Sequence, residues 1–140
     1  MDIDSISLSR PREPLIFATD KSTYLYLKTM NLLFVCSENQ LRSPTAEAIF
    51  NTYEGISAIG AGTNKDAETT VSGDLIEWAD IIFVMEKSHK NKITKKFKEL
   101  IRNKRLICLD IPDDYDRMDS ILIRLLIVKV SHYILLKKNI

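Results

Sequence analysis

The sequence has little of several features that would assign it to a specialised class of protein. It holds only two cysteines, Cys36 and Cys108, so it does not predict the disulfide framework of a small secreted protein, and a reducing cytoplasm suits it best. A formal net charge of +1 gives no reason to expect a nucleic acid or a membrane as a partner. No cluster of histidine, cysteine and carboxylate side chains has metal-ligand spacing, so we expect neither a metal nor another cofactor.

Signals for secretion or membrane insertion are also missing. The apolar stretch over residues 121–136 carries Arg124, Lys129 and His132, which is more typical of a core-facing helix than of a membrane span. The first residues mix charged side chains with short apolar runs and form no signal-peptide pattern. Residues 1–29 show no sustained periodicity, so we expect a poorly ordered or peripheral extension, followed by one domain over residues 30–140.

From residue 31 onward, strand and helix patterns alternate. The predicted strands are 31–36, 56–60, 80–85 and 105–109, and the predicted helices are 44–53, 69–78, 87–103 and about 118–135. This alternation predicts an α/β fold, a three-layer sandwich in which helices cover both faces of a central four-stranded parallel sheet. In such sheets ligands bind beyond the carboxyl ends of the strands.

The most informative stretch is residues 31–45, in which an apolar run ends in Cys36 and is followed by Arg42 and the Ser43-Pro44 pair. The run predicts a buried strand that delivers a thiol to a tight loop. Ser43 suits the N-cap of the next helix, and Pro44 suits its first position. The N–H groups at a helix start bind anions and favour a nearby thiolate, and the Arg42 guanidinium matches two phosphate oxygens. The pattern therefore predicts a cysteine nucleophile inside a phosphate-binding loop.

This stretch resembles the low-molecular-weight protein tyrosine phosphatases, whose motif C-x-G-N-x-C-R-S-P is similar to residues 36–44. Further similarities follow in the family's order at 61–63, 82–87 and 111–115, so that the resemblance covers residues 31–133. It implies a metal-independent phosphomonoester hydrolase that works through a cysteinyl-phosphate intermediate. The implied substrate is a phosphomonoester, with a phosphotyrosine protein as one form of it.

The resemblance also implies which residues carry the chemistry. Cys36 would attack phosphorus, Arg42 would hold the equatorial oxygens, and Asp113 would be the general acid and later the base that activates water. Asp114 stands where the family has proline and is the alternative acid, while Tyr115 is the candidate to stack on a substrate ring. The residues of the implied phosphate-binding loop are Ser37, Glu38, Asn39, Gln40, Leu41, Arg42 and Ser43.

Two of these loop residues have expected supporting roles, and three features depart from the family. Ser43 is expected to donate its hydroxyl to the thiolate, and Asn39 to brace the loop in the left-handed backbone region. Glu38 replaces a glycine, and its carboxylate would weaken phosphate binding unless it points to solvent. Leu41 replaces the loop's second cysteine. The segment 62–74, which the family uses for substrate selection, is short and has no aromatic residue.

Histidine has no part in the expected mechanism. His89 and His132 are far from Cys36 in the sequence, and we expect both to be surface or helix residues. The helix over 87–103 is rich in lysine and arginine, which fits either a docking surface for an acidic partner or a solvated face whose interleaved apolar residues turn inward. The spacing favours the solvated face.

Two other functions remain open. Related folds use the same cradle in arsenate reductases, but that reaction needs partner thiols, and only Cys108 is available, in a predicted strand. The other alternative is a catalytically weak phosphate-binding module, in which Glu38 lowers the rate of turnover. Binding alone needs no general acid such as Asp113, which argues against it.

Overall fold

The computed structural model describes residues 29–138, so the extension expected over residues 1–29 lies, except for Thr29, outside the described residues. Strands and helices alternate throughout this part of the chain, as predicted. The strands are β1 (Met30–Cys36), β2 (Ile56–Gly62), β3 (Ile81–Val84) and β4 (Arg105–Cys108), and the helices are α1 (Arg42–Phe50), α2 (Gly73–Trp78), α3 (Lys87–Lys96) and α4 (Ser120–Val130).

The four strands form one parallel sheet in the order β2-β1-β3-β4. The strand that ends in Cys36 is therefore central, with Gly62 as the register partner of Cys36 on one side. On the other side, Val35 of β1 pairs with Val84 at the end of β3. Since all strands run in one direction, the segments that follow Cys36, Gly62 and Val84 emerge at the same edge of the sheet.

Helices cover both faces of the sheet, which confirms the predicted three-layer α/β fold. Alternate residues of β1 enter two separate cores: Leu32 and Phe34 pack with α1 and α4, whereas Leu33 and Val35 pack with α2 and α3. In the first core the ring of Phe34 stacks on those of Phe50 and Phe83, with centroids 5.1 and 5.3 Å away. A buried strand with apolar side chains on both faces is typical of a parallel sheet.

The start of α1 differs from the prediction. The helix begins at Arg42, its N-cap is Leu41 without a side-chain cap, and Pro44 occupies the third helical position. Ser43 is not the N-cap, because its hydroxyl bonds to Cys36 and Asn39 and so is not used on a helix amide. Proline is tolerated there because the first turn has no partner for its N–H groups.

Other element ends also shift. Strand β2 runs on through Gly62, and α3 ends at Lys96, after which turns lead through Phe97 and pack beside α2 and α3. Helix α4 covers Ser120–Val130, and the carboxylate of Asp119 caps it by accepting from Ile121 N at 2.8 Å. Within residues 29–138, every helix is too short or too polar to cross a membrane.

Candidate active site

The loop between β1 and α1 wraps around the sulfur of Cys36. Asn39 has a φ of 56°, the left-handed region that its sequence position predicts, and this turns the chain back towards the end of β1. As a result the Asn39 N–H donates to Cys36 Sγ at 3.2 Å, and the Ser43 hydroxyl lies 2.9 Å from the same sulfur. The thiol is 3% exposed, at the floor of the loop. The loop thus holds the sulfur at the floor of the site, with one N–H and one hydroxyl beside it.

Two glycines of β2 allow this loop to lie directly against the sheet. A Cβ at Gly60 would come within 2.7 Å of Ser43 O and 2.9 Å of Asn39 Oδ1. A Cβ at Gly62 would come within 2.5 Å of Ser37 O. Both contacts are shorter than real Cβ contacts, so these positions exclude any larger residue while the loop keeps its place.

The side chain of Arg42 is buried, with 3% of its surface exposed, and groups from two different segments bind its guanidinium. Its Nη1 donates to the carbonyl of Ile111, 2.7 Å away, and pairs with the carboxylate of Glu86. Its Nε lies 3.7 Å from Asp113 Oδ1. Glu86 follows β3 and Ile111 follows β4, so the ends of two neighbouring strands fix the guanidinium beside the loop.

The segment that carries Asp113 is tied to the loop and to α1. Arg117 Nε donates to Gln40 O at 3.0 Å, and Met118 N donates to Thr45 Oγ1 at 2.9 Å. The side chain of Asp113 remains 62% exposed and opens towards solvent. A carboxylate in that position can exchange protons with water while it faces the cavity.

These elements enclose a cavity of about 500 Å³ above the sulfur. Among the residues expected to form the site, the structure brings seven to its lining, while Asn39 and Ser43 lie buried beneath them. The described residues that line the cavity are Cys36, Ser37, Glu38, Gln40, Leu41, Arg42, Asn64, Lys92 and Asp113. No aromatic ring is among them.

Two expected site residues lie elsewhere. Tyr115 is half-buried, packs against the core formed by β1, α1 and α4, and is not among the described residues of the cavity lining. Asp114 is exposed and is not among the described residues of the cavity lining.

Glu38 points to solvent at the mouth of the cavity. Its carboxylate is exposed, and Oε2 accepts from Asn64 Nδ2 at 3.4 Å. Its backbone carbonyl accepts from Glu68 N at 3.2 Å, which anchors the loop to the segment after β2. The carboxylate is therefore in contact with solvent, and bulk water screens much of its charge.

His89 is the functional candidate that the sequence analysis missed. The sequence predicted a surface or helix residue. His89 does lie on α3, but it is buried, with 1% of its surface exposed. Its Nε2 lies 2.9 Å from Ser37 Oγ, and its Nδ1 accepts from the Glu86 N–H at 3.0 Å. Burial, followed by the positive charge of Arg42, lowers the pKa of His89 to about 4. The spacing Glu86-x-x-His89 before a helix is the signal that could have revealed it.

Lys92 and Asn64 were also missed as members of the site. Lys92 lies one turn after His89 on α3, and it lines the cavity, whereas His89 lies buried behind Ser37. Asn64 follows the end of β2, and its N–H donates to Ser37 O at 2.9 Å. The other lysines of α3 lie on its outer face, while Ile93 on the opposite side packs into the core. This is the arrangement expected of a solvated helix face.

Comparisons with known proteins give structural neighbours only. No protein-family model and no curated protein matches the chain. The low-molecular-weight protein tyrosine phosphatase SP-PTP from Streptococcus pyogenes matches with a TM-score of 0.63 and 12% identity, over 76% of this chain and 94% of that one. The tyrosine phosphatase Wzb from Escherichia coli K30, solved with phosphate, matches with a TM-score of 0.59 and 19% identity, over 75% and 96%.

A third neighbour is the YwlE arginine phosphatase from Geobacillus stearothermophilus, with a TM-score of 0.57, 20% identity, and coverage of 74% of this chain and 91% of that one. At such identities the likeness concerns the fold, and the predicted resemblance is confirmed at that level. The chain has the fold of the low-molecular-weight protein tyrosine phosphatases, with its candidate nucleophile after the first strand.

Proposed function

We propose that the chain is a metal-independent, cysteine-based phosphatase that hydrolyses phosphomonoesters through a cysteinyl-phosphate intermediate. The observation that supports this most directly is the set of groups that surround the sulfur of Cys36. Cys36 accepts from a loop amide, faces the Ser43 hydroxyl, and shares its cavity with Arg42 and Asp113. A nucleophile, an oxyanion clamp and a proton donor in one cavity are what phosphoryl transfer requires.

In the first step the Cys36 thiolate attacks phosphorus in line with the leaving oxygen. The Arg42 guanidinium and the N–H groups of the loop hold the equatorial oxygens, where negative charge is spread in the transition state. Asp113, in its protonated form, donates to the leaving oxygen, which departs as an alcohol or phenol.

In the second step water attacks the cysteinyl-phosphate. Asp113, now a carboxylate, accepts a proton from that water, and the sulfur leaves as the thiolate. The Ser43 hydroxyl, 2.9 Å from the sulfur, is placed to donate to it as it departs. Inorganic phosphate is the product, and the enzyme returns to its starting state.

The lining of the cavity bears on the choice of substrate. Because none of its described residues is aromatic, an aryl group gains no ring-to-ring contact there. The mouth instead carries the carboxylates of Glu38 and Asp113. Since these would attract a cationic leaving group, phosphoarginine is a second candidate substrate, and a direct comparison of its kcat/KM with that of an aryl phosphate would decide between them.

The arsenate reductase alternative is less favoured by the sheet order. Cys36 ends β1 and Cys108 ends β4, with β3 between them. Two strand spacings amount to about 9.6 Å, whereas the Cα atoms of a disulfide lie within about 7 Å. A disulfide relay between the two cysteines would therefore require the sheet to open.

The test is hydrolysis of a simple aryl phosphate with a chelator present, across about pH 5 to 7. Cys36→Ser should abolish turnover, and Asp113→Asn should lower kcat by about 10²- to 10⁴-fold, the usual contribution of a general acid. Asp114→Asn is the matched control and should retain activity within about threefold. A wild-type chain that binds vanadate but shows no turnover at any pH would leave only the phosphate-binding module, and equal losses in the two asparagine variants would remove Asp113 from its role.

A further inference from the structure

The buried imidazole of His89 has no part in the two steps described above, yet both of its nitrogens are engaged. Nδ1 lies 3.0 Å from the backbone N of Glu86, which can only donate. Nε2 lies 2.9 Å from the hydroxyl of Ser37, the residue that follows the nucleophile. This arrangement joins the start of α3 to the phosphate loop through a single side chain.

The backbone donor determines where the ring proton resides. Because Nδ1 accepts from the Glu86 N–H, it carries no proton, and the neutral ring must carry its proton on Nε2. Nε2–H then donates to Ser37 Oγ. A serine hydroxyl has one proton, and here that proton is left free to be donated to a third group. Ser37 lines the cavity beside Cys36 and Arg42, so an anion bound in that cavity would be available as the third group.

The surrounding charges are balanced in favour of the neutral ring. Arg42 and Lys92 face His89 and oppose its protonation, while Glu86 and Asp113 favour protonation. Burial adds to the effect of the cations. A neutral, singly protonated ring is therefore the form present near neutral pH, and the direction of the hydrogen bonds does not change there.

We propose that His89 is a positioning residue that fixes the Ser37 hydroxyl as a hydrogen-bond donor to a phosphate oxygen. The inference rests on the proposed function, since it assigns a role at the same site. The Ser37 hydroxyl would then be a further hydrogen-bond donor to the phosphate, in addition to the loop amides and Arg42. This role of His89 also explains why a histidine is buried at this place, where a smaller residue would satisfy the helix start.

Two substitutions separate the two nitrogens of the ring. In His89→Asn the side-chain oxygen can take the place of Nδ1 and accept from Glu86 N, but nothing reaches Ser37. In His89→Gln the amide nitrogen can take the place of Nε2 and donate to Ser37, but the acceptor for Glu86 is lost. Ser37→Ala removes the hydroxyl itself. Ser88→Ala, at an exposed neighbouring position on α3, is the control for changes to the helix.

The experiment measures vanadate binding by calorimetry on the full chain, with kcat and KM for an aryl phosphate alongside. We expect Ser37→Ala and His89→Asn each to raise the Kd for vanadate about tenfold, which corresponds to about 1.4 kcal/mol. His89→Gln should stay within about threefold of the wild type, although it loses the helix cap. The double variant Ser37→Ala/His89→Asn should bind no more weakly than Ser37→Ala alone, because the two residues act through one hydroxyl.

Three results would overturn the inference: wild-type affinity in Ser37→Ala, equal losses in His89→Gln and His89→Asn, or additive losses in the double variant. Should His89→Asn fail to fold, Ser37→Ala and His89→Gln still decide the matter. Failure of the proposed function is distinguishable, since a wild-type chain that binds vanadate through Ser37 without hydrolysing an aryl phosphate contradicts only the enzymatic claim.

Discussion

The hydroxyl of Ser43 lies 2.9 Å from the sulfur of Cys36 and 2.7 Å from the side-chain oxygen of Asn39. It carries one proton and so can donate to only one of them at a time. With Cys36 as a thiol, the S–H can donate to Ser43 while Ser43 donates to Asn39. With Cys36 as a thiolate, the same proton can turn to the sulfur. The hydroxyl can thus follow the charge of the nucleophile during the reaction.

Removing this hydroxyl should slow the second step more than the first. A hydrogen bond to a charged group contributes about 1.5 to 3 kcal/mol, so Ser43→Ala should lower kcat by about 10- to 100-fold. Because the cysteinyl-phosphate would then accumulate, rapid mixing with an aryl phosphate should reveal a burst of the phenol equal to the enzyme concentration. An unchanged kcat without a burst would contradict the role given to Ser43.

The contact between β2 and the loop predicts a large difference between two glycine substitutions. Gly60→Ala forces a methyl group against the Ser43 carbonyl and the Asn39 side chain, and we expect a loss of about 1 to 3 kcal/mol in the free energy of unfolding. Gly73→Ala is the control, since its methyl group meets only the mobile end of Leu100 at 3.1 Å. We expect that change to stay within about 0.5 kcal/mol. Denaturant titration of both variants checks this, and equal losses would be evidence against the close approach.

The lowered pKa of His89, about 4 against an ordinary 6.5, predicts how stability depends on pH. Between these values the unfolded chain binds a proton that the folded chain does not, so the free energy of unfolding rises with pH. The contribution is complete above about 6.5 and is lost as the pH falls towards 4. Denaturation midpoints of the wild type and His89→Asn should therefore diverge as the pH is raised through this window. Parallel curves would show that the imidazole titrates normally.

The exposed position of Glu38 predicts a modest electrostatic cost. A unit charge about 6 Å from another in water costs about 0.7 kcal/mol, so Glu38→Gln should raise kcat/KM about threefold at low salt. The gain should vanish at high ionic strength, because water and ions screen an exposed carboxylate. Glu38→Gly, which also frees the backbone, is the companion variant. A gain that is independent of salt would mean that the side chain hinders the substrate sterically.

The sequence predicted most of what depends on neighbouring residues. The strand that ends in Cys36, the loop that follows it and the helix that begins at Arg42 are consecutive in the chain, and local pattern and spacing specify them. Asn39 adopts the backbone that was expected of it.

Features that depend on tertiary contacts were not predicted. His89 reaches Ser37 across 52 residues of sequence. The spacing Glu86-x-x-His89 marks the start of a helix, but it does not indicate the contact with Ser37. Ser43 was expected both to cap a helix and to donate to the sulfur; its hydroxyl lies beside the sulfur and bonds to Asn39, and it caps no helix. Tyr115 was expected to flank a substrate, yet it packs against the first core and is not among the described residues of the cavity lining. In each case the contact that forms depends on which side chains the folded chain brings close together, and a linear pattern does not contain that information.

The separation of the two cysteines in the sheet has a consequence for oxidative damage. A peroxide that converts Cys36 to a sulfenic acid leaves it with Leu41 as a loop neighbour and with Cys108 on the far side of β3. No resolving thiol lies within reach to trap the oxidised sulfur as an internal disulfide. Recovery must then come from a small thiol that enters the open cavity, and without one the oxidation would proceed to the irreversible sulfinic state.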